Sequence, residues 1–195
     1  MNTSASGGYI LPTGKPALPG NLNLTQFIQT VLVGISGLAG TLVVPMWQPE
    51  PPKQPDILTN WIGFGITNSV PDSNSFVGTQ PDGSTIAQRH EALSISLKIF
   101  GPDALDIYTL IRDGFQIQDN LIALRSANMG FVAVDQAIHA PDFVNGRWIN
   151  KYESVVDLRR EIQRNYPILP ILSATGQIHT VIGNEPYLLE WATAT

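Results

Sequence analysis

The sequence has no cysteine. That removes disulfide frameworks, thiolate metal sites and cysteine nucleophiles together, and leaves the redox compartment undetermined. Charge is scarce as well: Asp, Glu, Lys and Arg make up 14% of the 195 residues, against roughly 25% in an ordinary soluble domain. So few ionised side chains give little with which to solvate a free surface. Because interface centres are depleted in Lys, Asp and Glu, surface hidden in a permanent assembly is the expectation. The net charge of −5 has the wrong sign for gripping nucleic acid by neutralising phosphates, although an acidic wall past which DNA slides is permitted. Long apolar runs are missing too. The best window, "FIQTVLVGISGLAG", is interrupted by Gln29, Thr30, Ser36 and three glycines, short of the roughly 20 apolar residues a membrane helix needs. Neither a basic n-region nor an early apolar h-region precedes it, so no secretory signal is expected.

Catalytic motifs are equally absent. His90, His139 and His179 stand in none of the HxxxH, HExxH or HxH spacings, and read as polar residues at strand ends more readily than as metal ligands. No GxSxG occurs, and Gly63 and Gly65 in "WIGFGITN" lack both the third glycine of a dinucleotide loop and a following P-loop lysine. Two carboxylate pairs, Asp103 with Asp106 and Glu153 with Asp157, are close enough to share a face. Helix capping explains the first and strand solvation the second better than acid–base catalysis does. No catalytic residue, metal site or cofactor is assigned.

What is present is a hydrophobic fraction of 43% and enough length for one real core. Residues 1–22 are rich in Gly, Pro, Ser, Thr and Asn and read as an arm whose Tyr9, Ile10 and Leu11 dock on a neighbour or lie back on their own domain. From Asn23 to Gly37, Leu24, Phe27, Ile28, Val31, Leu32 and Ile35 form one helical stripe, with Asn23 and Gln26 as a capping box and Gly37 as the exit. Thr41 to Met46 is a short β-branched strand. Pro49, Pro51, Pro52 and Pro55, with Pro45 just before, then make a stiff connector to the strand Trp61 to Thr67. Residues 68–85 show no periodicity and two turn dipeptides, and are expected as a long loop.

Leu93, Ile95, Leu97 and Ile99 alternate with Ser94, Ser96 and Lys98, which is a half-buried strand. Gly101-Pro102 ends it and opens a helix with the stripe Ala104, Ile107, Tyr108, Ile111 and Phe115. A shorter helix follows from Asp119 to Asn128, then a strand from Phe131 to Ile138. Lys151 to Pro167 fits a helix or a strand; the Asn145-Gly146 turn and the alternation from Val155 to Arg160 favour a strand. At about 3.3 Å per residue it would reach roughly 50 Å, so it must bend or cross into a neighbour. A small hairpin is expected around Thr175-Gly176, and a tail after Gly183. The fold class is α+β: a mixed, largely antiparallel curved sheet with two or three helices on one face, an N-terminal arm and long loops.

The sharpest charge feature is Arg159, Arg160 and Arg164 with Arg147 upstream, four of the seven arginines. Glu153, Asp157 and Glu161 interleave with them, as complementary charges across a subunit boundary do; a nucleic-acid patch is the other reading. Tyr152, Glu153, Asp157, Arg159, Arg160 and Arg164 are therefore the candidate oligomer interface. A charge reversal at Arg160 is expected to weaken assembly without unfolding the subunit.

Several segments in order carry a resemblance: "GNLNLTQFIQTVLVGISGL", "WQPEPPKQPD" with "NWIGFGI", "RHEALSISLKIFGPDA", "ANMGFVAVD", "VNGRWINKYESVVDLRREIQRNYPI" and "LSATGQIHT". Over residues 7–182 the chain resembles the neck or tail-terminator-like family of tailed bacteriophages. The resemblance implies a non-enzymatic virion protein of the neck, assembled in the host cytoplasm. By analogy it forms a hexameric ring that caps the tail tube or sheath and docks to the head connector, with DNA at most passing through the channel. The division expected from length and composition is an arm at 1–22, one domain at 23–182 and a tail at 183–195, the tail lying outside the resemblance. A head-completion adaptor or baseplate component is the alternative within that class. A carbohydrate-binding accessory using Trp47, Trp61 or Trp148 as stacking platforms is a more distant one, disfavoured by an aromatic content of 8%.

Overall fold

Helix α1 (Leu24–Ser36) starts at the capping box: the Asn23 side chain accepts the Gln26 N–H at 2.9 Å and the Gln26 side chain accepts the Asn23 N–H at 3.0 Å. Two orphan amides of the first turn are thereby satisfied reciprocally. Phe27, Ile28 and Leu32 are buried, Leu24, Val31 and Ile35 pack around them, and Gly37 takes the left-handed exit. This computed structural model describes residues 8–14, 16, 18–50, 52–81, 84–168, 175–182 and 185–192. For Asn21 and for 175–182 and 185–192 it describes the backbone alone.

The strands are β1 (Val43–Pro45), β2 (Trp61–Pro71), β3 (Phe76–Thr79), β4 (Thr85–Phe100), β5 (Met129–Val134), β6 (Ile138–His139), β7 (Asp142–Val144), β8 (Arg147–Ile149), β9 (Lys151–Tyr166), β10 (Thr175–Ile182) and β11 (Glu185–Ala192). Helices α2 (Ala104–Gly114) and α3 (Gln118–Ser126) stand between β4 and β5. The main sheet runs β1-β2-β4-β9-β5, with β3 on β4 and β6 on β9. Only a proline-rich connector separates β1 from β2, and that pair is parallel, while β2–β4, β5–β9 and β6–β9 are antiparallel. The expected α+β class, with a mixed and largely antiparallel sheet, is what the chain adopts.

The chain divides into two compact units, one of Met1–Gly14, Val77–Ala87 and Arg164–Thr195, the other of Lys15–Phe76 and Gln88–Gln163. In the second, strand alternation aims Leu93, Ile95, Leu97 and Ile99 of β4 and Val156 and Leu158 of β9 into one core. That core includes Phe27, Ile28 and Leu32 of α1, Ile107, Tyr108 and Ile111 of α2 and Leu124 of α3. The predicted stripe of α2 is buried in full, Phe115 included. Gly101 turns the chain from β4 into α2 at φ 112°, and a Cβ there would lie 2.7 Å from the Asn60 Cα, so no other residue fits. The first unit contains the antiparallel β10–β11 hairpin, the turn that joins Gln80 N–H to the Ser84 carbonyl at 2.7 Å, and a bond from Thr13 N–H to the Asn165 carbonyl at 2.7 Å.

Three local expectations are corrected. Residues 68–85 are not one loop: β2 continues to Pro71 with Val70 opposite Ala92, and Phe76–Thr79 forms β3. Residues 67–71 are exposed, so no core selects one face and no period-two pattern is written there. The strand expected from Phe131 to Ile138 runs instead from Met129 to Val134. It stops where the Asp135 carbonyl is taken by Tyr108 Oη and Ser154 Oγ, both at 2.8 Å. Instead of a hairpin turning at Thr175-Gly176, the strands Thr175–Ile182 and Glu185–Ala192 pair with each other. Thr175 and Gly176 pair with Ala192 and Trp191, a turn dipeptide serving as a strand start.

Candidate functional site

Strand β9 carries the predicted interface residues, and its alternation sorts them between two faces. Val156, Leu158 and Ile162 go to the core side. Arg160 lies in the same row, and Glu91 lies in the row of Leu93 and Ile95. These two ions meet through Arg160 Nε and Glu91 Oε1, with side-chain exposures of 22% and 10%. A charged pair this shielded is held because each partner satisfies the other. Arg160 is thus engaged inside its own chain.

The opposite face of β4 and β9 is polar. Ser94 Oγ donates to Asp157 at 2.7 Å, and Arg159 reaches Asp72, just past β2, at 2.7 Å. Glu153 stands 3.1 Å from Lys151 and 3.8 Å from Lys98. Tyr152 stacks on His139 with ring centroids 4.8 Å apart. Five of the six candidates therefore have partners in the same subunit. Arg164 is exposed and makes no ion pair among the described residues. The strand reading of Lys151–Tyr166 holds, but local pattern does not show that its charges are answered by Asp72 just past β2 and by Glu91, Ser94 and Lys98 of β4. Such long-range partners leave no periodic signal along one strand.

A second arrangement was legible only in part. Strands β7 and β8 form a hairpin at the Asn145-Gly146 turn, where both residues take positive φ (50° and 76°) as a type I′ turn requires. Its middle pair, Phe143 and Trp148, is 61% and 69% exposed, with ring centroids 5.0 Å apart. Its base is fixed by Lys151, whose ammonium lies 2.6 Å from Asp142 and retains only 9% side-chain exposure. Burial lowers the Lys151 pKa, but the hydrogen bonds and charges of Asp142 and Glu153 outweigh it and the net shift is upward. The Asn-Gly turn is legible in the sequence; the aromatic pair across it leaves no local pattern.

The three tryptophans weighed as stacking platforms sit differently. Trp61 already stacks on Phe100 at 4.1 Å, and Trp148 pairs with Phe143. Trp47 is 69% exposed, takes φ 58° and lies over Gly65, where a Cβ would meet its ring. Trp47 and Trp61 share an apolar groove with Pro45, Met46 and Pro55. His90 is 3.9 Å from Glu161, and His139 bonds Asn150 at 3.0 Å. Among the described residues no three His, Asp or Glu side chains are placed to hold a metal ion, and no helix is long and apolar enough to cross a membrane.

The class these features define is an α+β protein with its helices on one face of a mixed sheet, internally paired charges on the other, and exposed apolar groups on strands and a hairpin. Residues 22–185 match the family model of the phage neck terminator protein, and the chain belongs to that family. It is accordingly a structural protein of the phage neck. No curated protein matches it.

Proposed function

We propose that this chain is the subunit of a closed ring, hexameric by analogy with tail terminators, which caps the phage tail and receives the head connector. The family match over residues 22–185 carries the reading. A charged fraction of 14% supports it, as do large apolar side chains left in solvent, such as Val132 at 58%, Phe143 at 61% and Trp148 at 69%. Such groups belong in contacts between subunits or with neighbouring virion proteins. The mechanism is geometric: head-to-tail contacts close a cycle, the cycle stops polymerisation of the tail tube or sheath, and its other face meets the connector. The subunit carries no catalytic role. DNA at most passes through the channel, which suits a net charge of −5. Assembly takes place in the host cytoplasm and the product resides in the virion.

Of the six residues on β9 put forward for intersubunit pairing, Arg164 is the one with its charge unspent among the described residues. Arg159, at 53% exposure, can share its guanidinium with a neighbour, whereas Arg160 serves its own chain. Tyr152, Glu153 and Asp157 support the strand that presents them. Negative-stain electron microscopy of the purified protein, together with immunogold labelling of virions, tests the reading. Six-fold rings and label at the head–tail junction are expected. Label at the baseplate, or a particle that stays monomeric at high concentration, would reject it.

A further inference from the structure

The main sheet ends in two outer edges, and they match. At one end β1 covers Ile62, Gly63 and Phe64 of β2, and among the described residues no strand pairs with the outer side of Ile66–Pro71. At the other end β5 pairs with β9 on its inner side, and among the described residues no strand pairs with its outer side. Each uncovered stretch is six residues long, and neither contains a charged residue. Unpaired N–H and C=O groups along a strand are a template for another strand, and monomeric proteins blunt such edges with Lys, Pro or inward charges. Met129–Val134 has none of these. The bulge at Val132 interrupts the ladder toward β9, yet the residue it turns outward is an apolar valine, 58% exposed. On β2 the guard comes only at the end, where Pro71 has no N–H to offer.

We propose that the outer edge of β5 in one subunit pairs with the Ile66–Pro71 stretch of β2 in a second copy of this chain, so that the sheet runs on from subunit to subunit. The proposal rests on the ring reading above. A head-to-tail contact needs two different, mutually complementary surfaces on one molecule. Two uncovered edges of equal length, without like charges to repel each other, supply them. A strand from a different virion protein would satisfy one edge and leave the other open.

The test is hydrogen exchange on the full chain, read by mass spectrometry, beside light scattering of the wild type, Val132→Lys and Val132→Thr. The wild type is expected as an oligomer with exchange slowed roughly tenfold or more at both 66–71 and 129–134. Val132→Lys places a solvated charge on the edge without touching the core, and should give a folded monomer in which both segments exchange fast. Val132→Thr should assemble as the wild type does. An oligomer with only one segment slowed, or with neither, overturns edge pairing while the ring reading stands; so does a Val132→Lys chain that assembles normally. A monomeric wild type overturns both. Should Val132→Lys fail to fold, the exchange pattern of the wild type decides alone.

Discussion

Two arginines one residue apart illustrate how far exposure controls the worth of a charge. Arg159 and Asp72 lie 2.7 Å apart but keep 53% and 41% of their side-chain surface, so solvent screens the pair and deleting it costs at most about 1 kcal/mol. Arg160 and Glu91 are shielded to 22% and 10%. Truncating that arginine strands a carboxylate beside the core, at a cost of about 2–4 kcal/mol. Arg160→Ala should therefore lower the urea midpoint of the chain clearly, and Arg159→Ala should leave it nearly unchanged. Reversal of Arg160, expected from sequence to touch assembly alone, sets two carboxylates against each other and acts on the fold instead. Equal midpoints for the two alanine variants would contradict this assignment. The sequence displays both residues identically, as arginines in an alternating strand. What separates them is a partner on β4 or after β2, and partners more than sixty positions away are invisible to any local pattern.

Elements with a buried face were legible because burial writes a period into the chain. The stripes of α1 and α2, and the alternation of β4 and β9, predicted their elements and their core residues together. Where strands are exposed on both sides, as over residues 67–71, no period exists and a loop was expected in place of strand. The β7–β8 hairpin shows the intermediate case: Asn145-Gly146 announced its turn, but its attachment depends on a lysine beyond its end. Lys151 holds Asp142 at 2.6 Å and Glu153 at 3.1 Å, and Glu153 also faces Lys98 at 3.8 Å. The folded-state pKa of Lys151 is raised above its ordinary value near 10.5. Its contribution is therefore complete below that pH and is lost as pH climbs through the raised value. Lys151→Met should cost about 1–2 kcal/mol at neutral pH and quicken amide exchange in Asp142–Ile149. The difference in stability between wild type and variant should shrink in strong alkali. A difference that stays constant from pH 8 to about pH 12 would show that the ammonium does not anchor the hairpin.

At the scale of the whole molecule, the sequence offered two signals for assembly that point to different physics. The arginine-rich stretch of β9 suggested ion pairs across a boundary; the low overall charge suggested a boundary with few ions in it. The geometry weakens the first, because most of the β9 charges are neutralised within the subunit, and leaves Arg164 and part of Arg159 for a neighbour. In the proposed ring, edge pairing and apolar contacts would supply the bulk of the association free energy, and the remaining arginines would set orientation and encounter rate, the usual division between polar and apolar groups at an interface. The two cases respond differently to salt. At about 1 M ionic strength the screening length falls to roughly 3 Å, and exposed ion pairs lose most of their attraction, while backbone ladders and buried apolar surface do not. The mass measured by light scattering should therefore stay that of the oligomer between about 0.1 M and about 1 M sodium chloride, with Arg164→Ala slowing assembly more than it lowers the final mass. Dissociation to monomers at high salt would assign the boundary to the β9 arginines, because a contact built of paired strand edges has no charge for the salt to screen.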